Sequence, residues 1–375
     1  MSNLSDHRPP LRLGAREDFA RAESLLRGEG FDEATICRAF NIEEMPDVCK
    51  ITPDEADLSV FPERLALLIR LFLFTQTVPR FEVERTFDRA AVDSLLALDL
   101  LRATEFDAGL YYSPVLLYPV AGLLIASDRR TNPDGSPFTE PPDIVFPAIN
   151  VGTLLFLSVI SKSPARDALD LGSGSGVAAI RLSRHVGRAV AADITPRASH
   201  FARFNSMLNG RDNVEVVEGD LYEPVRGQMF DRIIAHPPYV PTLAEDEAVV
   251  YRDSGETGEV LTRRAVEGIP AHLRPGGTFY GVCMGHDTVE GNFEERARRW
   301  LGDAGDEFDV MFALGESTPL DKYVSDVVIA TRGKRKMSIE RLEQALLKAG
   351  TRELVYGALI IHRRAGNGRP WTARP

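Results

Sequence analysis

Cysteine is scarce in this chain of 375 residues: Cys37, Cys49 and Cys283 are the whole supply. They form no Cys-x-x-Cys pair and no Cys/His cluster, which excludes a zinc finger or ribbon and a secreted disulfide framework. Three buried thiols in a reducing compartment are expected instead. Long apolar runs are missing as well. Leu65–Phe74 is cut by Arg70, and Val115–Ala126 is too short for the roughly 18 residues of a membrane span. Met1–Pro10 has no apolar signal core, so the expected location is cytoplasmic, with no membrane partner. Basic charge is in deficit: 44 Lys and Arg stand against 55 Asp and Glu, a formal net charge of −11. Residues 1–150 hold 15 bases and 25 acids, or −10, whereas residues 332–375 hold 11 and 3, or +8. This balance disfavours a long DNA duplex as partner, because phosphate neutralisation needs a basic face. The basic tail leaves a short RNA contact open. There is no Gly-x-Ser-x-Gly and no Ser/His/Asp signature. The seven histidines stand singly, so no metal site is expected.

What is present is an ordinary globular composition, 44% hydrophobic and 26% charged, at a length that suggests two domains. Residues 14–50 read as helical, with Phe19, Ala22, Leu25 and Leu26 at helical spacing. Pro62 marks a helix start before Glu63–Phe74. Asp88–Leu101 carries Ala91, Val92, Leu95 and Leu96 on one face, although Leu98 falls off it and Asp99 interrupts the last turn. Leu110–Leu117 and Val120–Ala126 look like strands joined through Pro119. Helices followed by a helix and a ribbon form the pattern of a winged-helix domain. Its recognition segment, Asp88–Leu101, holds Asp88, Asp93 and Asp99, which suits substrate docking or packing better than a major groove. Residues 129–143 contain four prolines and a Pro-Asp-Gly turn signal and are the best linker candidate.

From residue 165 the rhythm is βαβ. Strands are expected at Ala168–Leu171, Ala189–Asp193, Val214–Glu218, Phe230–Ala235 and Thr278–Met284. Helices are expected at Val177–Ser183, Pro196–Leu208 and Arg263–Leu273. Such alternation predicts a parallel sheet with helices on both faces. Val327–Ala330 and Leu354–His362 read as two late strands around a helix at Ser338–Lys348.

The chemistry concentrates after the first of these strands, in Asp170-Leu171-Gly172-Ser173-Gly174-Ser175-Gly176. Glycines at Gly172, Gly174 and Gly176 let the backbone turn tightly and let a ligand approach without Cβ clashes. The spacing differs from the Gly-x-Gly-x-x-Gly of dinucleotide enzymes. Asp170 at the strand end would repel a pyrophosphate and suits a cationic ligand, a sulfonium bearing an α-amino group, which points to S-adenosylmethionine. Asp193 ends the next strand, where a carboxylate can accept both ribose hydroxyls. Thr195 already supplies the cap for the helix that Pro196 opens. Asp220, after Gly219, can accept the adenine amine while the Leu221 backbone reads the ring edge.

Through Asp170–Gly176, Asp193, Asp220 and His236-Pro237-Pro238-Tyr239 the chain resembles the class I S-adenosylmethionine methyltransferases. More narrowly it resembles the "methyltransferase small" group, which includes release-factor glutamine methyltransferases and N-methyltransferases of RNA guanine and adenine. Tyr251–Gly258 and Leu273–Gly277 resemble two further segments of that group. The resemblance implies an α/β fold: a Rossmann-like, doubly wound, seven-stranded methyltransferase domain over 144–365. A mainly helical, winged-helix-like domain over 1–128 and the linker 129–143 would precede it, and a loose tail over 366–375 would follow. It implies methyl transfer to a planar nitrogen of a protein or RNA substrate. His236 and Tyr239 would be the catalytic pair, and Pro237, Pro238 and Phe146 would contact the substrate.

Two departures from the group stand out. Its pattern has Asn, Asp or Ser where this chain has His236. A neutral imidazole keeps one acceptor nitrogen. It can also act as a general base for a hydroxyl acceptor, or mark a site that binds S-adenosylmethionine without catalysis. Three readings therefore stand at this point: N-methyltransferase, O-methyltransferase with His236 as base, and non-catalytic binding module. The second departure lies upstream. Phe146-Pro147-Ala148-Ile149-Asn150-Val151-Gly152-Thr153 shares only a proline and a threonine with the Pro-Arg-Pro-Glu-Thr of release-factor enzymes.

Overall fold

The computed structural model describes residues 9–241, 250–252, 254–330, 336–366 and 368–375. They divide into two units. The first comprises the chain up to Leu154 together with Ser173–Arg184 and Thr195–Val216; the second comprises Leu155–Gly172, His185–Ile194 and Val217–Pro375.

In the first unit α1 (Arg16–Gly28) buries Phe19, Ala22, Leu25 and Leu26, the four residues at helical spacing. Asp32 opens α2 (Glu33–Phe40) by accepting the Thr35 N–H at 2.9 Å. Next come α3 (Glu63–Leu68), widened at Ile69–Leu73, then β1 (Val78–Pro79), α4 (Arg80–Thr86), α5 (Arg89–Ala97), β2 (Arg102–Ala103) and β3 (Leu110–Tyr112). The three short strands form an antiparallel sheet in the order β1-β3-β2. α5 ends four residues before the expected Leu101. The cause is Asp99, which adopts a left-handed φ of 55° and pairs with Arg12 at 2.7 Å and Arg102 at 3.0 Å.

The expected ribbon is also differently placed. Leu110–Leu117 is divided between β3 and β4 (Val115–Val120), which belong to different sheets. β4 pairs with β5 (Leu123–Asp128) around Ala121-Gly122, not at Pro119, which lies inside β4 opposite Leu124. A two-stranded ribbon has two free edges, so a proline there leaves no ladder bond unmade. Ala121 and Gly122 have φ of 52° and 74°, the pattern of a type I′ hairpin turn. The Glu33 carboxylate accepts both of their N–H groups, at 2.9 and 2.7 Å. Residues 129–143 contain no helix or strand. Arg129 is nonetheless buried and donates to the carbonyls of Ser113 and Thr75.

After α6 (Val151–Val159), the remaining elements are β6 (Ala165–Leu171), α7 (Val177–Leu182), β7 (Val186–Asp193), α8 (Pro196–Leu208), β8 (Val214–Glu218), β9 (Phe230–Ala235), α9 (Val260–Glu267), α10 (Ile269–His272), β10 (Leu273–Thr288), α11 (Phe293–Trp300), β11 (Phe308–Pro319), α12 (Leu320–Ala330), α13 (Lys336–Lys348), β12 (Thr351–Arg363) and β13 (Thr372–Ala373). One sheet runs β13-β11-β12-β10-β9-β6-β7-β8. It has eight strands rather than seven because β13 adds a two-residue edge. It is mixed rather than parallel, since β12 is antiparallel to both β10 and β11. The order turns at β6, which lies between β7 and β9. Open α/β sheets bind ligands beside the carboxyl ends of strands at such a reversal. Leu169, Phe230, Ile233, Phe279 and Leu359 are among the residues that form the core of the second unit.

Three further expectations are corrected. Val327–Ala330 is the end of α12, not a strand: a β-branched run there yields to its helical context, and the late strand is β11. The expected Arg263–Leu273 helix is two helices broken at Gly268, where a Cβ would collide with the Tyr222 ring. Of the three thiols only Cys283 is buried; Cys37 is half-buried and Cys49 exposed. No described helix is long and apolar enough to cross a membrane.

Candidate cofactor and acceptor site

Asp170 is the penultimate residue of β6 and Asp193 the last of β7, and both are buried. The parallel register pairs Asp170 with Ala191 and Leu171 with Ala192. It continues into a bond from the Gly172 N–H to the Ala192 carbonyl at 2.9 Å. The two carboxylates therefore stand at the carboxyl ends of adjacent strands. Thr195 caps α8 by accepting the Ala198 N–H at 3.1 Å, so Asp193 is not the cap.

The glycine loop has two kinds of glycine. Gly172 and Gly174 have φ of 66° and 53°, and a Cβ on either would meet nothing within 4 Å. Gly176, at φ 78°, packs against α8, and a Cβ there would stand 2.9 Å from that of Ala202. Two glycines thus leave open space and the third sets helix packing. Between them the Ser173 hydroxyl is buried without a hydrogen-bond partner among the described residues. Open backbone and an unmatched hydroxyl fit a ligand cradled by this loop.

Next to this loop along the sheet, the Asp193 carbonyl accepts the Gly219 N–H at 2.9 Å. Leu221 holds a left-handed φ of 50°, an uncommon conformation for a branched residue. Asp220 does not stand alone: Arg264 donates to its Oδ2 at 2.7 Å. Ile194, directly after Asp193, is 52% exposed, an apolar side chain free to meet a flat ring. Sequence reasoning passed over it, although its place after a strand-ending acid was the available signal.

β9 ends at Ala235 and delivers His236. The imidazole lies between two rings: its centroid is 5.3 Å from that of Phe156 and 5.9 Å from that of Tyr239. Its Nε2 is sealed from solvent and has no hydrogen-bond partner among the described residues. Burial pushes its pKa down to about 4, so it is neutral at physiological pH. Pro237 is buried and Pro238 half-buried. Phe146, in the first unit, lies under the Arg130 guanidinium at 5.5 Å.

The segment 250–259, of which Asp253 lies outside the described residues, supports this loop. Val240 donates to the Arg252 carbonyl at 3.0 Å, and Ser254 donates to the Val240 carbonyl at 2.9 Å. Gly258, at φ 84°, sits against the Tyr239 carbonyl so closely that a Cβ would overlap it. The adjoining Glu259 is buried and anchored. It accepts the His286 N–H at 2.9 Å and two N–H groups of Arg296 at 2.8 and 2.6 Å. Tyr239 also meets Tyr356 of β12, with ring centroids 5.6 Å apart. Phe156 and Tyr356 carried no sequence signal, because only the fold brings them to the loop. Among the described residues no group of three or more His, Cys, Asp or Glu is placed to hold a metal ion.

Comparison with known proteins gives the same region. The family model for the methyltransferase small domain matches residues 145–297, and one for a domain of unknown function, DUF7059, matches residues 52–110. The release factor glutamine methyltransferase of Geobacter sulfurreducens is 30% identical over 154 residues, which cover 38% of this chain and 54% of that protein. A Methanocaldococcus jannaschii protein assigned by name to the N5-glutamine methyltransferases is 31% identical over 141 residues, 36% of this chain and 70% of its own length. The ribosomal protein uL3 glutamine methyltransferase of Bradyrhizobium diazoefficiens is 30% identical over 200 residues, 48% of this chain and 63% of that protein. The chain thus spans little more than half the length of the first of these relatives.

Proposed function

This chain belongs to the methyltransferase small domain family of S-adenosylmethionine-dependent enzymes, and we propose that it methylates a planar nitrogen of a protein substrate. The observation that carries this reading is the state of His236: neutral, ring-flanked, with an unmatched Nε2. A neutral imidazole nitrogen can accept one hydrogen bond from an amide or amine NH₂. A base with a pKa of about 4 is poorly matched to removing a hydroxyl proton near neutrality. The same value therefore weighs against the O-methyltransferase reading.

S-adenosylmethionine supplies an electrophilic methyl group on a sulfonium. In this reading Asp193 accepts the ribose hydroxyls, Asp170 faces the cationic end, Ile194 and the Leu221 backbone flank the adenine, and Asp220, shared with Arg264, lies at its amine. His236 and a loop carbonyl hold the acceptor NH₂, while Tyr239 presents its ring face to the acceptor plane. His236, the loop carbonyl and the Tyr239 ring would hold the acceptor nitrogen in one orientation toward the methyl group that bound S-adenosylmethionine would supply. Orientation accounts for most of the acceleration in such a site.

A protein acceptor is favoured over RNA by the acidic balance of residues 1–150 and by the protein substrates that the relatives' names carry. We read Glu63–Tyr112 as the winged-helix-like element: helix, strand, two helices and two strands, with sheet order β1-β3-β2. Asp88 and Asp93 on its α5 suit a protein better than DNA. An exposed connecting segment at 129–143 and a cytoplasmic location belong to the same proposal. The test is methyl transfer from labelled S-adenosylmethionine to protein and RNA fractions of a cell lysate kept separate. Label in protein supports the proposal, and label only in RNA overturns the choice of acceptor.

A further inference from the structure

Glu259 occupies the N-cap position of α9, yet its carboxylate caps nothing there. The Leu261 N–H is met by the Ser254 hydroxyl at 2.9 Å instead. An acid at a helix start ordinarily serves the free N–H groups of the first turn. This one is turned toward two other elements. Its Oε1 accepts the backbone N–H of His286 at 2.9 Å and Nη1 of Arg296 at 2.8 Å, and its Oε2 accepts Arg296 Nη2 at 2.6 Å. Arg296 Nη1 also donates to the His286 carbonyl at 2.8 Å. The start of α9, the end of β10 and α11 thus meet in one closed set of bonds. The two charged side chains are largely buried there, 9% and 16% exposed.

β10 is a firm anchor at this point. Ala235, the last residue of β9, pairs with Gly281 of β10, and from that level β10 runs on beside β12, with His286 opposite Leu354. α11 is tied to the same strand, where the Asp287 carboxylate accepts the Phe293 N–H at 2.8 Å. From this anchor the path to the acceptor loop is short. Glu259 follows Gly258, whose backbone stands against the Tyr239 carbonyl. Ser254, at the other end of the same turn, donates to the Val240 carbonyl. The Tyr239–Val240 backbone therefore rests on residues 254–259, and Glu259 joins their far end to the sheet. A two-pronged guanidinium–carboxylate pair fixes direction as well as distance.

We infer that, within the methyltransferase reading above, Glu259 and Arg296 are positioning residues of the acceptor site: their ion pair fixes the segment on which the Tyr239–Val240 backbone rests. The test uses the full-length protein and S-adenosylmethionine labelled in the methyl group. The acceptor is the soluble macromolecules of source cells deleted for this protein. Glu259→Gln and Arg296→Met each leave a largely buried charge unmatched, so each is expected to lower both melting temperature and turnover. The double variant removes both charges, and its melting temperature is expected to return toward the wild-type value. Its turnover is expected to stay about ten- to a hundredfold low, with S-adenosylhomocysteine bound as by the wild type. Arg296→Lys keeps the charge but cannot span both oxygens. It is expected to lose turnover with little change in melting temperature, and it decides the matter where the double variant does not fold. Turnover that recovers in step with melting temperature in the double variant overturns the inference and leaves the pair a stabilising contact. Wild-type turnover in Arg296→Lys overturns it too, as does loss of S-adenosylhomocysteine binding alongside turnover in that variant. Absence of transfer by the wild type is a separate result, which removes the methyltransferase reading itself.

Discussion

Arg197 and Asp128 form a buried, two-pronged ion pair, with Nε to Oδ2 at 2.7 Å and Nη2 to Oδ1 at 2.5 Å. Asp128 ends the β4–β5 ribbon and Arg197 lies in the first turn of α8. The carboxylate also accepts the Val145 N–H at 2.8 Å. Arg197→Met would leave a buried carboxylate without its counter-charge. The expected loss of stability is about 3–5 kcal/mol, read as a lower denaturation midpoint. Arg197→Lys should recover little, because an ammonium cannot span both oxygens. A midpoint unchanged in Arg197→Met would show that the pair contributes nothing.

The same ribbon is held by two asparagines of α8 and its C-cap. Asn205 accepts the Ala126 N–H at 2.8 Å and donates to its carbonyl at 2.9 Å; Asn209 does the same with Leu124 at 3.0 and 2.7 Å. Each amide side chain thus stands in for a neighbouring strand. Mild proteolysis should nick 129–143 first, as an exposed proline-rich stretch, without separating the pieces. A chain beginning at 144 should be insoluble, since it strips Asn205 and Asn209 of their bonds to the ribbon and Arg197 of its Asp128 counter-charge. A chain beginning at 113 should fold and bind S-adenosylmethionine. Equal solubility and binding of both fragments would contradict this.

Gly258 should not tolerate a side chain. Alanine there would meet the Tyr239 carbonyl and adopt a φ near 84°. Gly258→Ala is expected to displace the acceptor loop, cutting methyl transfer at least tenfold while S-adenosylmethionine binding persists. Calorimetry beside a transfer assay checks this. An equal loss of both would indicate general unfolding.

The pH response follows from His236. Its folded pKa of about 4 lies below the reference of about 6.5. It is therefore neutral throughout pH 6–8, and turnover should not fall over that window through its titration. Stability behaves differently. Because the unfolded imidazole binds a proton first, stability from this group is present above about pH 6.5 and lost as the pH falls toward 4. His236→Asn should keep or raise N-methylation and flatten the acid limb of stability, whereas His236→Ala should lose turnover. A turnover profile rising through about pH 6.5 would contradict the neutral-acceptor role.

The placement of Asp170, Asp193 and the glycine loop at strand ends was legible in the sequence, and the surroundings of the His236–Tyr239 loop only in part. Asp170, Asp193 and the glycine loop announce themselves because strand, turn and helix fix their spacing locally. His236 and Tyr239 were found the same way. Their partners were not, since Phe156 and Tyr356 reach the loop through sheet order alone. β11 was missed because Val327–Ala330 carries the stronger β propensity, while helix α12 claims that run. The ribbon was misplaced at Pro119 because the Ala121-Gly122 turn is signalled by one glycine and depends on the distant Glu33.

Titration of the purified protein with S-adenosylmethionine, beside Asp193→Ala, tests the central claim most directly. The account predicts one molecule bound per chain and weakening by about 1–3 kcal/mol in the variant, the loss of a charged hydrogen-bond acceptor. No heat of binding in the wild type, or equal affinity in both proteins, would contradict it.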